Sequence, residues 1–430
     1  MERVKAFIKS NFHLSKLERE SLVAMGGMAA EYHNIFLYGY LVSVINPYFF
    51  KDSSYLITLS AILLSYIMGP LGAIICGHIG DTLGRKRILA WALAFVSISS
   101  FFISVLPSYD QIGIVASILF ILLRSIQAVG FGGDAVGLVT FILEEAPARS
   151  RGWFGGLMSL GSAIGVFVAS LEVSLLDPLQ DISSQWKWRI PLCTGIIGTL
   201  LSIYFYRILG ETTVFKHYTK KHHKKRWPLL ELLKNYKLSF LRAIGVFALA
   251  PIITAVIFSF IPYLGETALH LSSKFSMWSN TIVLFVFSIF APLFGALSDK
   301  IGRKPILFGV SLIFLILGFP LFSLLEYHNK TIYFCVQLFF SWVASAYYGI
   351  AMTINIEHLP TNLRYTGVAL SFYLSYVLFG GINGQYIVKF LINGVSACVG
   401  PVFYLLLGSI VVFLSALLLK EEAKTSLEKE

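Results

Sequence analysis

The 430 residues are 56% hydrophobic and 15% aromatic but only 13% charged, and the mean hydropathy is +0.75. So little charge cannot cover a water-exposed surface. A soluble enzyme, a secreted disulfide scaffold and a disordered chain are therefore excluded, and a lipid bilayer is the solvent that fits. The net charge of +11 raises nucleic acid as a partner, but its placement in the loops suits a membrane surface better, so no nucleic-acid partner is expected.

Along the chain, a polar, basic segment over 1–20 comes first. It is too long and too charged for the start of a signal peptide. Twelve apolar runs follow, at 21–45, 56–79, 88–106, 112–142, 153–176, 190–209, 241–264, 275–297, 305–325, 331–356, 366–391 and 397–419. Each is long enough to cross about 30 Å of hydrocarbon as a helix, and the alternation of a membrane barrel is absent. The expected fold is an all-α polytopic membrane protein of twelve transmembrane helices in two pseudo-symmetric six-helix bundles. Its parts are a cytoplasmic tail (1–20), an N-terminal bundle (21–209), a basic cytoplasmic linker (210–240), a C-terminal bundle (241–419) and a cytoplasmic tail (420–430). With the N-terminus inside, one side carries 27 Lys and Arg and the other 6, which predicts both termini in the cytoplasm. The run Lys220 to Arg226 in the linker reads as a solvated, lipid-facing surface.

Cys76, Cys193, Cys335 and Cys398 are far apart in apolar runs. No Cys/His spacing suits a metal and no disulfide framework is implied, so no metal and no cofactor are expected. No nucleotide-binding loop and no nucleophile constellation is present, which argues against ATP as direct energy source and against an intramembrane enzyme.

The two halves repeat. Gly77, Asp81, Gly84 and Arg85 follow the second run, and Gly295, Asp299, Gly302 and Arg303 follow the eighth, at an offset of 218. Glu144, Pro147 and Arg151 recur as Glu357, Pro360 and Arg364 at an offset of 213. Two motifs repeated at nearly one offset imply duplicated halves. The Asp and Arg residues can form charge-assisted clamps between helices, and the glycines permit tight turns and close approach. Gly77, Asp81, Gly84, Arg85, Glu144, Arg151, Asp299, Gly302, Arg303, Glu357 and Arg364 are the expected cytoplasmic gate; the plainer reading is that their basic residues only satisfy the positive-inside rule.

The G-x-x-x-D-x-x-G-R-K loop after the second run and its copy after the eighth resemble the signature of the major facilitator superfamily. Pro70-Leu71-Gly72, Arg124-Ser125-Ile126-Gln127, Gly132-Gly133-Asp134, Trp188-Arg189-Ile190-Pro191, Glu211-Thr212-Thr213 and Leu359 through Gly367 resemble its metabolite:proton symporter branch, which includes proline/betaine, citrate, oxoglutarate and shikimate transporters. The resemblance implies proton-coupled uptake of a small polar metabolite such as an organic acid, amino acid or betaine. It also implies a bacterial inner membrane. The partners expected are this solute, protons and the lipid bilayer, with the chain a monomer. The chain departs from the branch at Asn34, Gly69 and Asp134, where an acidic residue, an arginine and a glutamate are usual.

Glu31, Asn34 and Tyr38 share one face of the first helix. A charge near mid-membrane requires a partner or a water-filled cavity, and Arg124 is the expected partner. Glu31 would carry the coupling proton with Arg124 gating it; a static buried ion pair is the structural alternative. His33 is expected to bond a neighbouring helix. Asp134 would relay protons or join the cytoplasmic gate, the gate being favoured. Asn34, Tyr38, Gln127, Trp342, Tyr347, Tyr373 and Asn383 are the expected solute contacts. A proton-driven exporter or exchanger, including one for siderophore-like polycarboxylates, and an uncoupled uniporter are the rival readings.

Overall fold

The computed structural model describes residues 15–50, 55–176, 184–194, 196–198, 200, 204, 207, 210–221, 227–380 and 399–427. Among these, every regular element is a helix. The first half holds α1 (Lys16–Phe49), α2 (Tyr55–Leu83), α3 (Arg85–Val105), α4 (Ile114–Glu145), α5 (Arg151–Leu176) and α6 (Ser184–Cys193). The second holds α7 (Lys237–Thr267), α8 (Ser273–Ile301), α9 (Arg303–Ser323), α10 (Lys330–His358), α11 (Arg364–Phe379) and α12 (Gly400–Leu418). Eight of these helices are long and apolar enough to cross a membrane. The stretch expected as a linker contains two short helices, Thr213–Lys221 and Pro228–Asn235. Most of its basic run, and Asn383, lie outside the described residues.

Polar caps set several helix starts. Ser15 and Glu18 form a reciprocal capping box at α1, and the Asn329 side chain accepts from the Thr331 and Ile332 amides at α10. Outward faces are apolar: Ile282, Phe285, Ile289 and Leu293 lie exposed along one side of α8, as a lipid-facing surface requires.

Within each half the helices pack as a bundle, α1 on α5 and α2 and α3 on α4, α8 on α10, and α9 and α7 on α12. The halves meet along two seams, α5 with α8 and α2 with α11. At the first seam Gly152 and Gly295 pack backbone to backbone, and a side-chain carbon on either would collide with the other's carbonyl. This is the small-residue contact that lets membrane helices approach closely. The seams are related by the same twofold repeat that the sequence motifs show.

Helix α7 is interrupted by a π-helical segment, Thr254–Phe260. Such segments recur at functional sites, and this one supplies Thr254, Phe258 and Ser259 to the cavity described next.

Candidate solute and proton site

The repeated motifs gather at one end of the molecule. Arg85 donates to Asp81 at 2.8 Å and to Glu144 at 3.2 Å, and Arg364 of the other half donates to the same Glu144 oxygen at 3.0 Å. The Thr212 hydroxyl donates to the second Glu144 oxygen at 2.7 Å. In the second copy, Arg303 pairs with Asp299 at 2.9 Å and donates to Glu357 at 3.1 Å, and Arg151 of the first half donates to Glu357 at 3.4 Å. Each motif aspartate also caps a helix of the opposite half. Asp81 accepts from the Tyr365 and Thr366 amides at the start of α11, at 3.2 and 2.9 Å. Asp299 accepts from the Gly152 and Trp153 amides at the start of α5, both at 2.8 Å. A carboxylate at a helix N-terminus meets unpaired amides and the positive end of the helix dipole. These bonds tie the two halves together at the motif end.

Gly84 and Gly302 turn the chain between α2 and α3 and between α8 and α9 with φ of 112° and 96°, a region that favours glycine. The turns expose the first amides of α3 and α9. Glu211 accepts from the Arg85 amide at 2.9 Å and Glu421 from the Lys304 amide at 3.0 Å. No local motif marks Glu421, although it follows Glu211 by 210 residues, close to the offsets of the other repeats. Gly77 lies against Thr366 across the second seam.

At the opposite end a cavity of about 700 Å³ opens between the halves. Tyr263 and Glu266 on its rim are exposed. Its walls are rich in rings, with Tyr32, Phe36, Tyr40, Phe131, Tyr373 and Tyr376 among them. Among the described lining residues, Arg124 is the sole arginine or lysine. Its guanidinium lies 3.8 Å over the Tyr38 ring and donates to the Gln127 side chain, which in turn donates to Ser100 at 2.6 Å. The floor is aromatic. The rings of Tyr32 and Tyr373 both meet Phe131 edge-on at 5.6 Å, and the Tyr373 hydroxyl donates to the Phe131 carbonyl at 2.5 Å. Gly69 makes room for this arrangement: a side-chain carbon there would lie 2.7 Å from the Tyr373 ring. Gly69, one of the three departures from the resembled branch, thus backs a tyrosine here.

Of the expected solute contacts, Tyr38, Gln127 and Tyr373 line the cavity. Three others do not. Asn34 donates to the Ala30 carbonyl of its own helix. Trp342 is on the outer face of α10, packed on Phe290, Phe294 and Phe339. Tyr347 is buried and donates to the Val246 carbonyl of α7, beside a separate void of about 20 Å³. Helical periodicity does not say which polar face meets a void and which meets another helix.

The expected Glu31–Arg124 pair is not formed. Ten residues along α4 separate Arg124 from Asp134, a rise of about 15 Å, and Glu31 is at the level of Asp134. Asp134 accordingly faces Glu31 and takes no part in the motif-end ion-pair network, whose α4 member is Glu144, one more ten-residue step along. Neither acid lines the cavity; both are fully buried beneath its floor. His33 bonds a neighbouring helix as expected, through Glu172 of α5 at 2.9 Å, with Thr194 at 3.3 Å on its other ring nitrogen.

A two-bundle helical membrane protein with a cavity open at one end and ion-paired at the other is built as a transporter, not an enzyme. The sequence profile described as Major Facilitator Superfamily matches residues 32–385 and again 243–429. The proline/betaine transporter of Escherichia coli (strain K12) is 26% identical over 428 residues, covering 96% of this chain and 85% of that protein. A putative metabolite transport protein of Haemophilus influenzae is 31% identical over 379 residues, covering 83% and 84%. Among solved structures, a proton:xylose symporter bound to 6-bromo-6-deoxy-D-glucose superposes with a TM-score of 0.76 at 17% identity, covering 96% of this chain and 98% of that one. The chain belongs to the Major Facilitator Superfamily.

Proposed function

We propose that this transporter couples inward proton movement to uptake of a small polar solute such as an amino acid, betaine or organic acid, by alternating access. The observation that carries the reading is the cavity: one oriented guanidinium among aromatic walls, open at one end only, with a buried carboxyl beneath the floor. Arg124 offers a planar fork for a carboxylate. The rings around it suit the apolar or cationic remainder of a zwitterion. A single arginine among the described lining residues does not suit a multiply charged anion. Glu31 is the proton carrier in this reading, and Arg124 holds solute in place of gating the proton. The relatives described as proline/betaine transporters support the solute class. With the basic loops inside, the ion-paired end is cytoplasmic, both termini are cytoplasmic, and the conformation is outward-open. A bacterial inner membrane is the setting these relatives support.

The test uses proteoliposomes with an internal pH dye, offered proline, glycine betaine and mono-, di- and tricarboxylates in turn. Solute-dependent acidification of the lumen, lost in Glu31→Gln, is expected. Alkalinisation on solute entry would replace symport by exchange, and labelled solute entering with no pH change would replace it by uniport.

A further inference from the structure

Glu31 and Asp134 are both 0% exposed, and among the described residues none of their four carboxyl oxygens makes a well-formed hydrogen bond, although the Ala135 amide of α4 lies near Glu31. They face each other where α1 packs on α4, and no basic side chain pairs with either among those residues. The other titratable groups facing the pair are Tyr32 of α1, Cys76 of α2, and Tyr365 and Tyr373 of α11. The two α11 hydroxyls are already committed, Tyr365 to the Gly133 carbonyl at 2.6 Å and Tyr373 to that of Phe131. Neither is therefore a donor to the acids.

Two ionised carboxylates can only accept hydrogen bonds, so they cannot bond each other, and burying both without a counter-charge is far costlier than burying one. A proton on either oxygen pair supplies the missing donor and removes the like-charge repulsion. We propose that Glu31 and Asp134 hold a single proton between them and together form the coupling site, which makes Asp134 a proton-binding residue outside the gate. This rests on the reading of the chain as a proton-coupled transporter. The pair is separated from the cavity by the layer of Tyr32, Phe131 and Tyr373, two of whose members, Tyr32 and Tyr373, belong to opposite halves of the molecule. Rocking of the halves that parts this layer would open a path between cavity and pair, and the proton would leave when the pair is hydrated from the motif end.

Infrared spectroscopy of the purified full-length chain near neutral pH tests the pair without reference to any solute. The wild type should show protonated-carboxyl absorbance equivalent to one buried group from this site. Glu31→Gln and Asp134→Asn should each retain one such band at a shifted frequency, because the remaining acid is buried alone. The double variant should lose it, and Asp134→Glu should keep the shared band. Loss of the band in one single variant with no change in the other would overturn the shared proton, as would absorbance equivalent to two groups in the wild type.

The second arm is transport in proteoliposomes with labelled proline and labelled glycine betaine. Each single variant should lose proton-gradient-driven accumulation while retaining solute-for-solute exchange, which reports an intact cavity. Wild-type accumulation in Asp134→Asn would overturn the proposal. If the wild-type protein accumulates neither probe under a proton gradient, symport of these solutes fails, and the infrared bands still decide whether the carboxyls share a proton.

Discussion

Arg124 is held by the face of Tyr38 and the amide of Gln127, and Gln127 is itself held by Ser100 of α3. An ammonium could keep the charge but neither the flat stacking nor the forked donation. Arg124→Lys is expected to weaken solute binding by about 1.5–3 kcal/mol, the range for a hydrogen bond to a charged group, with little change in thermal stability. Solute-dependent quenching of intrinsic fluorescence would measure it, and an unchanged affinity would remove Arg124 from the binding site. Gly69 poses the opposite case. Any side chain there displaces the Tyr373 ring, so Gly69→Ala should cost about 1–3 kcal/mol of stability through overpacking and loosen the floor. Combining it with Tyr373→Phe does not relieve the clash, because the ring carbons are what the new methyl meets. Tyr373→Ala removes those carbons, so Gly69→Ala should lower the melting temperature in the wild type but not further in a Tyr373→Ala background, and melting temperatures of the four proteins are the check.

The motif helices depend on acidic caps supplied from elsewhere in the chain. Glu211 and Glu421 serve the starts of α3 and α9, where Gly84 and Gly302 bring no side chain of their own. Replacing either glutamate by alanine should cost about 0.5–2 kcal/mol, and similar losses from the two would match their symmetric placement. Glu421 belongs to a terminal segment that does more than cap. The Leu427 carbonyl accepts from Arg364 at 2.8 Å and from the Thr361 hydroxyl at 2.9 Å, and the Thr425 carbonyl accepts from Arg151 of the other half at 3.0 Å. Leu427 itself is buried. The segment is thus a strap across the closed end. Deleting residues 420–430 should lower the melting temperature and raise the reactivity of a cysteine placed at Thr361, in a background lacking Cys76, Cys193, Cys335 and Cys398. Unchanged reactivity would show that the strap does not hold the end shut.

At the scale of the molecule, closure is a matter of buried charge. Glu144 joins Arg85 of its own half to Arg364 of the other, all three buried. Opening this end must hydrate the three groups together, since a lone buried charge is prohibitively costly. Glu144→Gln leaves two arginines facing a neutral amide. It should destabilise the closed end by about 3–5 kcal/mol. The measurement is the distance between spin labels placed across the motif end, which should lengthen in Glu144→Gln. A cavity residue gives the complementary readout: Ser174→Cys, in the same cysteine-free background, should react with an impermeant maleimide from outside in the parent and less in Glu144→Gln. Equal labelling in both would mean that the ion network does not set the conformational balance.

Much of this was written in the residues. Apolar run length defined the helices, because an unpaired backbone cannot persist in hydrocarbon. The duplicated Gly-Asp-Gly-Arg and Glu-Pro-Arg spacings marked the residues of both ion-pair networks, because local charge geometry at helix ends follows spacing along the chain. The choice of partners was not written there. From Glu31 one could infer the need for a partner, yet Arg124 and Asp134 share α4 and only its depth against α1 distinguishes them. The same holds for Trp342 and Tyr347, two rings five positions apart on α10, since their spacing does not say which meets lipid and which meets another helix. What tertiary packing alone decided is which faces meet lipid, helix or void, since those contacts depend on how far each helix is shifted and turned against its neighbours, and no period in the sequence records that.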